Sequence, residues 1–245
     1  KIQAGAKLVT KLWNVARFSQ RFFDPEIEMD LALLAPALLT PADRWILAGT
    51  QRLIRRATDL FHDYDYAAAK QEIEIFFWRD LADNYLEMAK LRLYSDQADG
   101  GAGAKGTLRH VLLTTLKLFA PFLPHVTEEI YQKLFSEEAG YDSIHRSHWP
   151  EPDARFDDAE AAAFGETLMA IATAVRRYKS EQNLSLGAKL PRLCLATRRP
   201  QLAAQLGAAV PDLTSVTRAE QVIVGSELSD GLDVVLEEGP LQVAL

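Results

Sequence analysis

Cysteine is nearly absent from this sequence. Cys194 stands alone among 245 residues, so no intramolecular disulfide can close and no cysteine cluster can hold zinc. That usage suits a reducing compartment and predicts a cytoplasmic protein. Long apolar runs are missing too: every hydrophobic stretch is broken by Lys, Asp or Pro well short of the roughly 18 residues a membrane span needs, and no basic-apolar-small leader opens the chain. No membrane partner is expected. There is no initiator Met, and Lys1 already lies within a helical pattern, which points to a piece of a longer protein. What is present is an ordinary globular composition, 48% hydrophobic and 25% charged. It excludes collagen-like, mucin-like and wholly disordered chains and leaves ample material for a core.

The net charge of −7 argues against a nucleic-acid partner only as an average. Residues 1–23 carry Lys1, Lys7, Lys11, Arg17 and Arg21 with no acid. Beyond Arg218 the chain carries Glu220, Glu227, Asp230, Asp233, Glu237 and Glu238 with no base. The acidic balance therefore says nothing about the amino-terminal surface.

Apolar residues three and four apart dominate the first two thirds, the period of amphipathic helices. The first helix runs to about Phe23. The second starts at Thr40-Pro41, with Asp43 where a capping-box acid would sit, and its stripe reads Ile46, Leu53, Ala57, Leu60, Phe61 and Tyr64. A third, from about Asp65 to Tyr94, carries Tyr66, Ala69, Ile73, Phe76, Phe77, Leu81, Tyr85 and Met88. The stretch Gly100-Gly-Ala-Gly-Ala-Lys-Gly106 reads as a flexible linker, and it fails the spacing of a phosphate-binding loop. Further helices are predicted over Leu108–Phe119 and from Pro124. Irregular sequence from Ser136 to Asp158, with Pro150 and Pro152, marks a boundary between a helical domain over 1–156 and a second unit over 157–245. That unit opens with a helix carrying Phe164, Leu168, Ile171, Val175 and Tyr178. It continues in β-prone runs at Leu190–Thr197, Gln221–Val224 and Leu232–Leu236, with a helix-like stretch from Gln201 to Ala209.

At about 100° per residue, the first helix gathers Lys7, Lys11, Asn14, Phe18 and Arg21 on one face, opposite Leu8, Leu12, Val15 and Phe22. An aromatic ring among cations and an amide can stack a splayed base while the cations meet phosphate and the amide reads a base edge. The competing reading is that Phe18 packs beneath another helix while the lysines face solvent. Trp13, at the margin of the apolar stripe, reads as core. Other candidates are weaker. His145, His148 and Trp149 lack an acid or cysteine to complete a zinc set, and Glu128 and Glu129 are adjacent and diverge on a helix. No strand-turn-helix GxSxG context supports a hydrolase, so no catalytic constellation is visible.

The segment Lys7-Leu-Val-Thr-Lys-Leu-Trp-Asn-Val-Ala-Arg-Phe18 resembles the helix that opens the anticodon-binding domain of valyl-tRNA synthetases. In the same order follow Asp43-Arg-Trp-Ile46, Tyr64-Asp-Tyr66, Phe76-Phe-Trp78 with Asp83-Asn-Tyr85-Leu-Glu87, Leu118-Phe-Ala-Pro-Phe-Leu-Pro-His-Val-Thr-Glu-Glu129, and Ser143-Ile-His145 with Trp149-Pro150. The resemblance spans about residues 1 to 182. The Ala-Pro-Phe-Leu-Pro-His block is shared with the isoleucine and leucine enzymes of class I, whereas the Lys-Leu-Trp-Asn helix and the Ser-Ile-His segment favour valine.

The resemblance implies a mainly α fold: a helical bundle of the class Ia anticodon-binding type, followed by a small mixed α/β subdomain. It implies a carboxy-terminal fragment of a ligase that binds the anticodon loop of tRNA(Val) through Lys11, Asn14, Arg17 and Phe18, with Lys7 and Arg21 extending the basic face. It implies no catalytic residue, cofactor site or metal site in this fragment. The full-length enzyme would join valine to its tRNA with ATP and magnesium, using a catalytic domain of the same chain on which this module docks, and would act as a monomer. The rival readings are the equivalent domain of an isoleucyl-tRNA synthetase and a helical protein-interaction scaffold.

Overall fold

The computed structural model describes residues 2–23, 38–95, 98–136, 140–228 and 231–245. Helix α1 (Ile2–Ser19) runs into a 3-10 turn over Gln20–Phe22. Helix α2 (Pro41–His62) begins as the sequence predicts: Thr40 and Asp43 form a capping box, with the Thr40 N–H donating to the Asp43 carboxylate at 2.9 Å. Asp65 caps α3 (Tyr66–Ile75) by accepting from the Ala68 N–H at 3.1 Å. The helix then widens into a π-helical segment (Phe76–Tyr85) and returns to α-helix as α4 (Leu86–Leu93). Helices α5 (Ala98–Phe119), α6 (Pro124–Leu134) and α7 (Ala159–Glu181) follow.

Beyond α7 the chain forms β1 (Leu193–Thr197), α8 (Pro200–Ala208), α9 (Val210–Thr217), β2 (Val222–Gly225), β3 (Val234–Glu238) and β4 (Leu241–Ala244). The sheet order is β2-β1-β4-β3. Strand β1 pairs in parallel with β2, placing Leu195 opposite Val224 across the α8–α9 crossover, and antiparallel with β4. The expected mainly α architecture with a small mixed subdomain is the one found. Helix α9 and strand β4 are additions to it.

Two expectations are corrected. The glycine-rich stretch expected as a linker lies within α5, which starts at Ala98 rather than Leu108. Its glycines allow close approach: a Cβ at Gly103 would collide with the Leu38 carbonyl, and one at Gly101 would press on the Ser95 carbonyl. Burial of Ala104 and Leu108 alongside offsets glycine's helix cost of about 1 kcal/mol per residue. Tyr64 and Tyr66, expected in the core stripes, are 78% and 47% exposed, because α2 ends at His62 and the chain reverses with Tyr64 at φ 60°.

One apolar core runs from Leu8 and Leu12 through Trp45, Phe77 and Phe119 to Leu168, Leu195 and Val243. Helix α7 packs on α2, where the absence of a side chain at Gly165 lets the Trp45 indole lie against the helix backbone. Helix α9 packs on α4, fixed by a buried charge cluster. Arg92 donates through Nε to Asp212 at 2.8 Å and through its two terminal nitrogens to Asp43 at 2.8 and 3.0 Å. The Tyr85 hydroxyl donates to Asp43 at 2.7 Å and the Thr40 hydroxyl to Asp212 at 3.0 Å.

Candidate nucleic-acid interface

Helix α1 is held by its apolar face. Leu8, Leu12, Val15, Ala16 and Phe22 are buried, and Trp13 is partly buried beside Ile130 and Leu134 of α6. The opposite face carries Lys7, Asn14, Arg17 and Arg21, all exposed. Among the described residues, no carboxylate forms an ion pair with Lys7, Arg17 or Arg21. Asn14, Arg17, Phe18, Gln20 and Arg21 surround a shallow hollow.

Phe18 satisfies part of the base-stacking reading and part of the packing one. Its ring meets Phe22 edge-on at 5.1 Å and Tyr94 at 6.3 Å, so it is anchored, yet it is only partly buried at the lip of the hollow. Tyr94 is itself 57% exposed, and Lys90 Nζ lies 5.8 Å from the centre of the Phe18 ring. The face thus has a second aromatic and a further cation, both from α4 and its carboxy-terminal cap. Sequence reasoning missed them because their only local signal is an i, i+4 spacing on another helix.

Lys11 is placed differently from its neighbours. Its ammonium pairs with Asp83 at 3.1 Å and lies 5.3 Å from the Trp78 ring centre, at the edge of a separate hollow. The structure therefore gathers Asn14, Arg17, Phe18 and Arg21 around one depression, and sets Lys11 and Lys7 further along the same helix.

Most other motif residues hold the bundle together. Trp149 Nε1 donates to Thr58 Oγ1 at 2.8 Å. Glu128 accepts from the Ser143 hydroxyl and the Ile144 N–H, both at 3.0 Å, tying α6 to the Ser-Ile-His turn. Burial pushes the Glu128 carboxyl upward, but those bonds, together with one from Gln132, outweigh it and hold the group below the usual carboxylate range. His145 Nε2 sits 3.1 Å from the Pro124 carbonyl, and the His148 ring meets Tyr141 edge-on. Within the charge cluster, burial pushes Asp212 up to about 6 against the pull of Arg92, with nearby Asp43 adding to the rise. Burial works against the Arg92 charge, but the two carboxylates outweigh it and hold that charge firmly.

The mainly helical fold belongs to a defined class. Residues 43–194 match the family described as the anticodon-binding domain of tRNA ligase, and the chain belongs to that family. Such a domain binds tRNA. Within the class, the chain is similar to valine–tRNA ligases. It is 41% identical over 232 residues to that of Methanopyrus kandleri, covering 91% of this chain and 24% of the relative. It is 41% identical over 195 residues to that of Thermococcus kodakarensis (78% and 21%), and 33% identical over 247 residues to that of a Wolbachia of Brugia malayi (100% and 28%). The chain thus spans about a quarter of the length of these relatives. The valine assignment is favoured over the isoleucine and scaffold readings. Helix α1 lies ahead of the family match but within the full-length alignment to the Wolbachia relative.

Proposed function

We propose that the α1 face reads the anticodon loop of tRNA(Val) as one module of a valine–tRNA ligase. The observation that carries this reading is the partly buried Phe18 ring, anchored on Phe22 and Tyr94 and bordered by Arg17 and Arg21, which no described carboxylate neutralises. Phe18 stacks an unstacked base, Asn14 hydrogen-bonds a base edge, and Arg17 and Lys11 hold phosphate, with Lys7 and Arg21 extending the contact along the strand. Lys11 exchanges Asp83 for phosphate as it engages.

Joining valine to tRNA with ATP and magnesium belongs to the remainder of the ligase, on which this module docks; the chain by itself is non-catalytic, monomeric and cytoplasmic. Among the described residues no group of three or more His, Cys, Asp or Glu converges as a cation site. No described helix is long and apolar enough to cross a membrane.

The test is a titration of the chain with three labelled anticodon stem-loops at low and moderate salt: the valine loop, the same loop with its middle adenine replaced, and an isoleucine loop. Preference for the valine loop is expected, and it should vanish with the middle-base change. Phe18→Ala should weaken valine-loop binding by about 1–3 kcal/mol, roughly 5- to 150-fold. Equal, steeply salt-dependent binding to all three loops would reduce the face to a source of charge and refute anticodon reading.

A further inference from the structure

A second hollow, of about 580 Å³, lies beside the α1 face between α1, the π-helical segment, α7 and the end of α9. Its charges do not balance. Two carboxylates reach it, Asp83 and Glu87, and each already has a close cation: Lys11 at 3.1 Å from Asp83 and Lys90 at 2.7 Å from Glu87. Arg176 lines the hollow but spends its guanidinium on neutral acceptors, the Asn84 side-chain carbonyl at 3.0 Å and the Asp83 main-chain carbonyl at 2.7 Å. Arg218 approaches Glu87 only to 3.7 Å.

Beneath them Lys179, 1% exposed, donates to the carbonyls of Leu186, Ala188 and Thr217 at 3.1, 2.6 and 2.9 Å, with no carboxylate among the described residues as partner. Burial lowers the proton affinity of both Arg176 and Lys179; Asp83 and Glu87 oppose it at Arg176 without cancelling it, and for Lys179 the neighbouring Arg218 charge adds to the effect. Positive charge concentrated in this way, partly desolvated and short of counter-charge, favours an incoming anion. One wall is apolar: Leu186 stands 67% exposed at the rim, with Val175 and Val216 deeper.

The hollow is continuous with the α1 face. Lys11 borders it directly, about 10 Å along the helix axis from Phe18 at seven residues' remove. A second path leads from the Phe18 ring through Lys90 and Glu87 to Arg218. An occupant long enough to reach both Phe18 and Lys11 would meet its edge.

We propose that this hollow is a second RNA contact, taking a backbone phosphate of the strand that α1 engages on Arg176 and Arg218, with the adjoining nucleotide packed against Leu186. The inference rests on the anticodon-reading proposal for α1 and adds the carboxy-terminal subdomain to the tRNA-binding surface through Arg218. Phosphate contacts position a strand and carry no sequence information, so removing this site and removing the Phe18 face have different consequences.

The experiment titrates the full chain and its Arg176→Gln, Arg218→Gln and Asp83→Asn variants with the valine stem-loop and its middle-base-changed version across salt concentrations. Each arginine variant should weaken both loops several-fold by the same factor, keep the preference between them, and flatten the log-log salt slope by about 0.7 for each phosphate no longer neutralised. Asp83→Asn removes an opposing charge while keeping the shape and the main-chain carbonyl. It should tighten both loops, a gain that misfolding cannot produce. Wild-type affinity and slope in folded arginine variants would overturn the proposal, as would an altered preference between loops. Phe18→Ala, run in parallel, separates the two readings. If it leaves valine-loop affinity unchanged, the α1 proposal fails; if it weakens that loop while the folded arginine variants do nothing, only the second contact fails.

Discussion

Replacing Arg92 by Met should be among the most damaging single changes in this protein. Among the described residues its guanidinium is the only cation hydrogen-bonded to Asp43 and Asp212, both wholly buried, and it supplies three of the hydrogen bonds that satisfy them. Among the described residues, removing it leaves the two carboxylates with only the Tyr85 and Thr40 donors. Breaking a buried pair from one side costs about 3–5 kcal/mol. A ceiling of similar size comes from protonation, since neutralising a carboxylate of ordinary pKa at pH 7 costs about 4 kcal/mol. At about 2–4 °C per kcal/mol for a chain of this length, the melting temperature should fall by about 6–20 °C.

The destabilisation should depend on pH. In the native protein Asp212 is raised to about 6, so the folded state binds more protons than the unfolded state between about pH 4 and 6. Stability therefore falls as pH rises through that window, and the ionisation penalty is complete above it. Without Arg92 the penalty deepens and extends upward, so the gap between native protein and variant should narrow toward pH 5 and widen toward pH 8. Asp212→Asn, which relieves the charge excess, should cost less than Arg92→Met. Urea unfolding followed by circular dichroism at several pH values measures all three proteins. A destabilisation under about 1 kcal/mol at pH 7, or a gap that does not change with pH, would refute this account of the cluster.

Two glycine substitutions should move stability in opposite directions. Gly165→Ala would drive a methyl into the Trp45 indole at the α2–α7 crossing; overpacking costs of about 1–3 kcal/mol should outweigh the roughly 1 kcal/mol gained in helix propensity, and an unchanged or higher melting temperature would show that the crossing yields. Gly207→Ala in α8 meets no atom within 4 Å and should stabilise by about 0.5–1 kcal/mol in the same melt, so a lower melting temperature there would point to a neighbour that the geometry does not reveal.

The elements legible in the sequence are those specified by neighbours along the chain. The Thr40-Pro41-Asp43 start of α2, the two-faced α1 and the β-prone runs all follow from spacing or from local hydrogen-bond chemistry. What escaped depends on distant partners. Glycines at 101 and 103 look like a linker until the carbonyls of Ser95 and Leu38 press against them, and then they are what lets the helix fit. The π-helical segment keeps an ordinary helical apolar pattern while shifting Asp83, Asn84 and Tyr85 toward Lys11, Arg176 and Asp43. Helix α9 opens with Val210-Pro-Asp and is rich in Thr and Val, poor helix formers that packing on α4 overrides.

The same division separates the parts of the candidate site. A helical wheel finds Lys7, Lys11, Asn14, Phe18 and Arg21 because they lie along α1 and the turn that continues it, but Lys90 and Tyr94 join this face only through the fold. Helix α4 and its cap present these two residues outward toward Phe18 and point Arg92, between them in sequence, inward to Asp43 and Asp212. The buried cluster therefore registers α9 against the helix whose other face supplies part of the proposed RNA surface. Since Arg218 caps α9, the clamp sets where that guanidinium meets the second hollow. Weakening the clamp should thus reach the RNA surface through the placement of Arg218: under native conditions Arg92→Met should reproduce, in smaller measure, the sequence-independent weakening expected of Arg218→Gln, with the preference between loops intact. Disappearance of that preference instead would mean that the cluster also positions Phe18, through Tyr94.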